Sequence, residues 1–222
     1  MKTSIIVFPA SNCDRDAATA VKLVTGTQAT MVWHAQTELP DTDLIILPGG
    51  FSYGDYLRSG AMAARAPIMR QVIARANDGV PVLGICNGFQ ILCEAGLLPG
   101  AFLPNRNLKF ICKPTPLQVM RKDLIFTRKF DEPGKHTVWF PVANHEGNYF
   151  ADADTVRDLK EENRIVLRYL DNPNGSVENI AGLCNARGNV LGLMPHPERV
   201  VDPVLGPTDG RLLFESLLEA LA

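Results

Sequence analysis

The 222-residue sequence has no excess of either charge, with 22 Lys and Arg against 24 Asp and Glu. That balance gives no electrostatic footprint for nucleic acid or an anionic membrane surface. No apolar run approaches the ~18 residues that suggest a membrane span. The apolar stretch after Met1-Lys2 is too short for a signal peptide and predicts a buried first strand instead. There is no Cys-x-x-Cys pair, so no zinc or iron–sulfur site is expected. Five scattered cysteines do not make a disulfide framework, and a reducing, cytoplasmic compartment is expected. Nor is there a nucleotide-phosphate loop: Gly50 to Gly54 is not followed by Gly-Lys-Ser/Thr. Repeats, low-complexity tracts and linkers are absent as well.

What is present predicts one domain over residues 1–222. Strands are expected at Thr3–Phe8, Ala29–His34, Asp43–Leu47 and Val80–Ile85, alternating with helices at Asp14–Val24, Ala61–Asn77 and Phe89–Ala95. Continuous apolar strands alternating with helices predict an α/β fold, doubly wound, with a mostly parallel sheet and helices on both faces. After Gly100 shorter strands at Lys109–Cys112, Leu117–Arg121 and Thr137–Phe140 predict a β-rich excursion around residues 105–145. Strands at Ile165–Leu170, Ile180–Asn185 and Asn189–Met194 and a helix at Gly210–Leu221 complete the chain.

The even total charge hides a local excess. Residues 100–136 hold eight basic and three acidic groups, whereas residues 137–222 hold seven and thirteen. A solvated pair of hairpins and a docking surface both fit this basic block.

Gly84-Ile85-Cys86-Asn87-Gly88 falls where a buried strand meets a helix. It is a Gly-x-nucleophile-x-Gly elbow with cysteine as the nucleophile. A Cβ two residues either side of Cys86 would collide with the neighbouring strand or helix, which explains the glycines. The helix N-terminus favours a thiolate, and the Asn87 N–H can donate to an oxyanion. A small buried hydrophobe in a glycine-tolerant turn fits the same five residues. Cys93, Cys112 and Cys184 sit in apolar or strand contexts that suit core filling, while Cys13 has no evident role.

A thiolate nucleophile needs a base and a group that orients the base. Among His34, His136, His145 and His196, only His196 stands in a distinctive segment, Met194-Pro195-His196-Pro197-Glu198-Arg199. In extended chain, residues i and i+2 share a side, and the two prolines hold the chain extended, so Glu198 can reach the imidazole. A Pro-rich surface loop with an incidental acid is the alternative. Pro48-Gly49-Gly50-Phe51 can turn a second N–H, that of Gly50, toward a ligand.

The elbow, the Pro-Gly-Gly turn and the His-Pro-Glu segment together resemble the class I, triad-type glutamine amidotransferases. More narrowly, Pro48–Arg58, Gly84–Gln90, Met194–Arg199, Ser11–Asp14 and Asn107–Cys112 are similar to the glutaminase subunits of phosphoribosylformylglycinamidine synthases. The likeness implies a flavodoxin-like glutaminase fold and hydrolysis of L-glutamine to glutamate and ammonia through a Cys86 thioester. It implies His196 as the proton shuttle, Glu198 as its orienter, and the N–H groups of Gly50 and Asn87 as the oxyanion hole. Gln90 and Phe51 are implied to bind glutamine.

Where that family commonly has His-Gly-Glu-Gly, this chain has Asn144-His145-Glu146-Gly147, so the binding roles expected of Asn144, His145 and Glu146 rest on a departed pattern. Ser59 is a second, minor departure.

The implied partners are a large synthetase subunit, which carries ATP and Mg, and a small accessory subunit; no cofactor is implied for this chain. The product of such a complex is an amidine made from formylglycinamide ribonucleotide in purine synthesis. The basic block and the Phe51–Arg58 loop are candidate docking surfaces. A free-standing cysteine hydrolase and a non-catalytic interaction subunit remain as alternatives.

Overall fold

Three runs, Leu44–Leu47, Val82–Ile85 and Val190–Leu193, are buried at every position in the computed structural model, which describes residues 1–131 and 137–222. Complete burial requires cover on both faces, and these runs form the middle of the sheet. In chain order the strands are β1 (Thr3–Val7), β2 (Thr30–Trp33), β3 (Leu44–Leu47), β4 (Val82–Ile85), β5 (Ala101–Leu103), β6 (Ile111–Val119), β7 (Thr137–Asn144), β8 (Asn148–Phe150), β9 (Ile165–Tyr169), β10 (Ile180–Cys184) and β11 (Val190–Leu193). The helices are α1 (Asp14–Thr25), α2 (Met69–Asn77), α3 (Asn87–Glu94), α4 (Ala153–Glu161) and α5 (Arg211–Leu221).

Nine strands pair in the order β2-β1-β3-β4-β11-β10-β9-β6-β7, and β5 and β8 form a separate antiparallel pair. β2, β1, β3, β4 and β11 are parallel, and the remaining pairings are antiparallel. Only β10 and β6 therefore run against the other seven. The α/β fold is the expected one, and the β-rich segment around residues 105–145 continues the main sheet through β9. Right-handed crossovers leave β1 and β3 in opposite directions, which puts α1 and α2 on opposite faces. α5 packs on α1, while α3 lies on β3, β4 and β11. The buried apolar side chains, from Ile5 and Ile46 to Phe140 and Phe214, form one connected cluster.

Local chemistry explains the differences from the sequence expectations. The helix expected over Ala61–Asn77 is cut, because Ala66 before Pro67 is extended (ψ 147°) and α2 starts only at Met69. The two strands expected at Lys109–Cys112 and Leu117–Arg121 are one strand, β6, despite Pro114 and Pro116. Pro116 O accepts from Leu170 N–H on the β9 side, so the backbone polar groups of residues 114 and 116 face that side. Both prolines therefore face away from β7, and the β6–β7 ladder runs unbroken through them.

α4 was not expected from the pattern; Asp152 caps it by accepting from Thr155 N–H, and Lys160 closes its last turn. Cys112 is exposed rather than core, because the first half of β6 projects beyond β9. Among the described residues no helix is long and apolar enough to cross a membrane.

Candidate active site

β1, β3, β4 and β11 end side by side, and the loops leaving their C-terminal ends carry Cys13, Gly49-Gly50, Cys86 and His196. β1 is followed by α1 toward β2, whereas the chain after β3 turns the other way, so the crevice lies where strand order reverses. That is the usual ligand position in open α/β sheets.

Cys86 occupies φ +52°, ψ −106°, a conformation that costs a non-glycine residue about 1–3 kcal/mol. Its N–H donates to Leu193 O at 2.8 Å, and its carbonyl accepts from Phe89 N–H at 3.0 Å, which ties the elbow to β11 and α3. The flanking glycines are required sterically. A Cβ on Gly84 would stand 2.4 Å from Leu92 Cδ1, and one on Gly88 would stand 1.9 Å from Leu47 O. The Cys86 thiol faces Ala143 O at 3.9 Å, and His196 N–H donates to Pro141 O at 2.8 Å. The antiparallel edge strand β7 thus walls the site, a placement that sequence spacing does not reveal.

His196 and Glu198 are buried, with Nδ1 and Oε1 2.6 Å apart. Pro197 opens a short 3-10 turn, and this turn sets the pair. A Cβ at Gly49 would lie 2.8 Å from His196 Cε1, 3.3 Å from Cys13 Sγ and 3.4 Å from Cys86 Cβ, so one point brings three side chains together. Burial disfavours charge on the imidazole, but Glu198, Cys86 and Cys13 outweigh it and hold the His196 pKa well above its ordinary value. His196 Nε2 is buried without a hydrogen-bond partner among the described residues.

Gly50 sits at φ +135°, where a Cβ would be 2.6 Å from Asn12 N. The adjacent Phe51 N–H donates to Ala10 O, while the half-exposed Phe51 ring lies 6.4 Å from that of Phe110. Asn87 opens α3, so its N–H is among the helix-terminal donors without an intrahelical acceptor. Its side chain accepts from Ser52 N–H at 3.2 Å and donates to Gln90 Oε1 at 2.9 Å. Gln90 is buried rather than surface-exposed, and its Nε2 donates to Glu146 O at 2.7 Å. The structure therefore places Gln90 between the elbow helix and the 144–147 loop.

That loop hangs on buried amides. Asn105 Nδ2 donates to Asn144 O and Lys109 O, and its Oδ1 accepts from Gly147 N–H and Asn174 Nδ2. Asn144 is buried, with Oδ1 accepting from Asn174 Nδ2 at 2.7 Å, whereas His145 is exposed. Ser59, which sequence reasoning treated as inconsequential, donates to Glu146 Oε2 at 2.7 Å. Asn105, Asn174 and Cys13 were also missed, because their partners are distant in sequence.

One group among the described residues has metal-ligand donor types: Cys13, His196 and Glu198, with ligand atoms within 4.8 Å of one another. Arg199 Nη2 lies 3.1 Å from Cys13 Sγ and already supplies a cation there. Four of the eight basic residues of the basic block pair with acids of the chain: Arg121 with Asp123, Lys122 with Asp131, Lys129 with Glu219 and Lys113 with Asp171. Lys135 and His136 lie outside the described residues.

Comparison with known proteins gives the chain's family. The family model of the CobB/CobQ-like glutamine amidotransferase domain matches residues 1–211. Phosphoribosylformylglycinamidine synthase subunit PurQ of Zymomonas mobilis is 55% identical over the whole of both chains. That of Novosphingobium aromaticivorans is 52% identical, covering 99% of this chain and 97% of its own. The solved structure of PurLQS from Thermotoga maritima contains a chain 45% identical to this one, with a TM-score of 0.90 and coverage of 100% and 99%. A family match over residues 1–211, with relatives of 45–55% identity along nearly the whole chain, shows that the chain belongs to the CobB/CobQ-like glutamine amidotransferase family.

Proposed function

We propose that this chain is the glutaminase subunit of a phosphoribosylformylglycinamidine synthase in purine biosynthesis, acting as one amidotransferase domain over residues 1–222. The observation that carries the reading is the convergence of Cys86, His196 and the Gly49-Gly50 turn at one crevice, with Glu198 2.6 Å behind the imidazole. The relatives named for this synthase match along their full length at 52–55% identity.

The chemistry follows from the residues. The Cys86 thiolate attacks the side-chain amide carbon of L-glutamine. The N–H groups of Gly50 and Asn87 receive the negative charge that develops on the carbonyl oxygen. His196, oriented by Glu198, gives a proton to the departing nitrogen, and ammonia leaves. A water molecule, deprotonated by His196, then attacks the γ-glutamyl thioester and releases glutamate. Gln90, held by Asn87 and Glu146, sets the distance between the elbow and the 144–147 loop, which with Asn144, His145 and Phe51 forms the far end of the glutamine site.

Ammonia set free in water would be protonated and lost, so a synthetase must seat over the crevice. The large subunit carries ATP and Mg and converts formylglycinamide ribonucleotide to its amidine, and a small accessory subunit completes the complex. This chain needs no cofactor for its own step. The Phe51–Arg58 loop is the docking surface we favour: Tyr56 and Leu57 are exposed beside the Gly50 turn, whereas four of the basic block's eight cations already pair with acids of the same chain.

The test compares glutamine-dependent and ammonia-dependent synthesis by the assembled complex with Cys86→Ala. The reading requires loss of the first and retention of the second; retained glutamine-dependent synthesis would overturn it. Full glutaminase activity of the isolated chain, unstimulated by any partner, would instead favour a free-standing hydrolase.

A further inference from the structure

Cys13 is the one buried thiol beside the crevice that the proposed chemistry does not use. It occupies the N-cap position of α1, where its carbonyl accepts from Ala17 N–H and its sulfur lies 3.4 Å from Asn12 Oδ1; its other contacts lead to the proposed catalytic groups. Its N–H donates to Gly49 O at 3.3 Å, inside the turn that presents the Gly50 N–H. Its sulfur accepts from Arg199 Nη2 at 3.1 Å, and Arg199 follows Glu198 directly. Arg199 Nε in turn donates to Asp16 Oδ2 at 3.2 Å, on the first turn of α1. The sulfur also lies within 4.8 Å of ligand atoms of both His196 and Glu198. Gly49 has no side chain to separate these groups, and a Cβ there would touch both the imidazole and the Cys13 sulfur.

We propose that Cys13 is a positioning residue: clamped between Gly49 and Arg199, it holds the His196 imidazole and the Gly49-Gly50 turn in register with Cys86. The proposal rests on the glutaminase reading above. A sulfur suits the place because it is large and polarisable. It accepts from the guanidinium while lying against the imidazole, and so links α1 to the His-Pro-Glu segment without a second carboxylate.

The groups facing the ring are Glu198 from its own segment, Cys86 from the start of α3 and Cys13 from the start of α1, with Arg199 and Asp16 behind them. Glu198, Cys86 and Cys13 all favour the imidazolium over the opposing effect of burial. Removing Cys13 takes away one of these influences, so the imidazolium should lose its proton at lower pH. A role limited to packing would leave that titration where it is.

The experiment uses the assembled synthase with Cys13→Ala and Cys13→Ser, and with Cys112→Ala as an exposed-thiol control. Glutamine-dependent kcat should fall about 10- to 100-fold for Cys13→Ala, the scale of a misplaced catalytic group. KM for glutamine and the ammonia-dependent rate should stay within about twofold, and the alkaline limb of the glutamine-dependent profile should move to lower pH. Cys13→Ser, which keeps an acceptor for Arg199, should recover part of the loss. An unchanged kcat overturns the proposal, and so does a lowered kcat with an unmoved limb in both variants. If Cys13→Ala fails to assemble, Cys13→Ser decides alone by the same limb. Failure of the glutaminase reading shows separately, as glutamine-dependent synthesis that survives Cys86→Ala.

Discussion

Gly88 lies so close to β3 that a Cβ on it would stand 1.9 Å from the carbonyl oxygen of Leu47. α3 can therefore start at the elbow only if its second residue has no side chain. Gly88→Ala must push the helix off the sheet or distort the Cys86 turn. We expect a stability loss of about 3 kcal/mol, at the upper end of overpacking costs. Calorimetry on the variant measures it, and glutamine-dependent activity should fall further than stability alone explains. A variant with wild-type Tm would contradict the packing argument.

The His196–Glu198 pair makes a sharper prediction. Glu198→Gln keeps the size of the side chain but replaces the carboxylate that faces Nδ1. With the wrong ring tautomer favoured, glutamine-dependent kcat should drop on the order of 10³–10⁴-fold, the scale of such a change in a triad. Since Glu198 is the strongest influence favouring the imidazolium, the ring should also lose its proton at lower pH. Ammonia-dependent synthesis should be untouched. Both readouts come from one pH–rate series on the complex.

Asp55 lies in the Phe51–Arg58 loop at φ +55°. Burial, and then the facing Glu146 carboxylate, raise its pKa to about 6, against the smaller opposing effects of Ser59 and His145. The sign follows from proton counting. Between its ordinary value of 3.8 and about 6 the folded chain holds a proton that the unfolded chain has released. Stability therefore falls as pH rises through that window. Asp55→Asn should remove this fall, seen as a smaller difference in Tm between about pH 4 and pH 7. An identical pH dependence in wild type and variant would count against the buried carboxyl.

Asn105 is fully buried, and its side chain makes four hydrogen bonds, all within or beside the 144–147 loop and its support. Asn105→Ala leaves buried backbone and amide groups unpaired, at about 1–3 kcal/mol for each that finds no water. Glutamine KM should rise while kcat changes little, as expected if the loop forms the far end of the proposed glutamine site. Steady-state kinetics separates the two.

Much of the site was legible because its chemistry is local. The elbow glycines are dictated by contacts two residues away from Cys86, and the imidazole and carboxylate of His196 and Glu198 meet across a single proline. The parallel strands were legible for a related reason: complete burial leaves a continuous apolar run. Pro116 shows the limit. The two strands expected on either side of it are one strand, because its missing N–H faces away from β7, and only the pairing of distant strands reveals that. Ser59 and Asn105 were unreadable in the same way, since the Ser59 partner lies 87 residues along the chain and three of the four Asn105 side-chain partners lie 39–69 residues along it.

By itself, then, the sequence pointed to Cys86, His196 and Glu198 as the proposed nucleophile, base and orienter, and to the α/β alternation, because each depends on spacing of a few residues. Only the tertiary structure decided that β7 walls the crevice, that half of the basic block's cations pair with acids of their own chain, and that Cys13 stands against the imidazole. Those relationships are set by strand order and by which loops emerge at one edge of the sheet. Residues 13, 86 and 196 are strangers in sequence; they meet because β1, β4 and β11 end together.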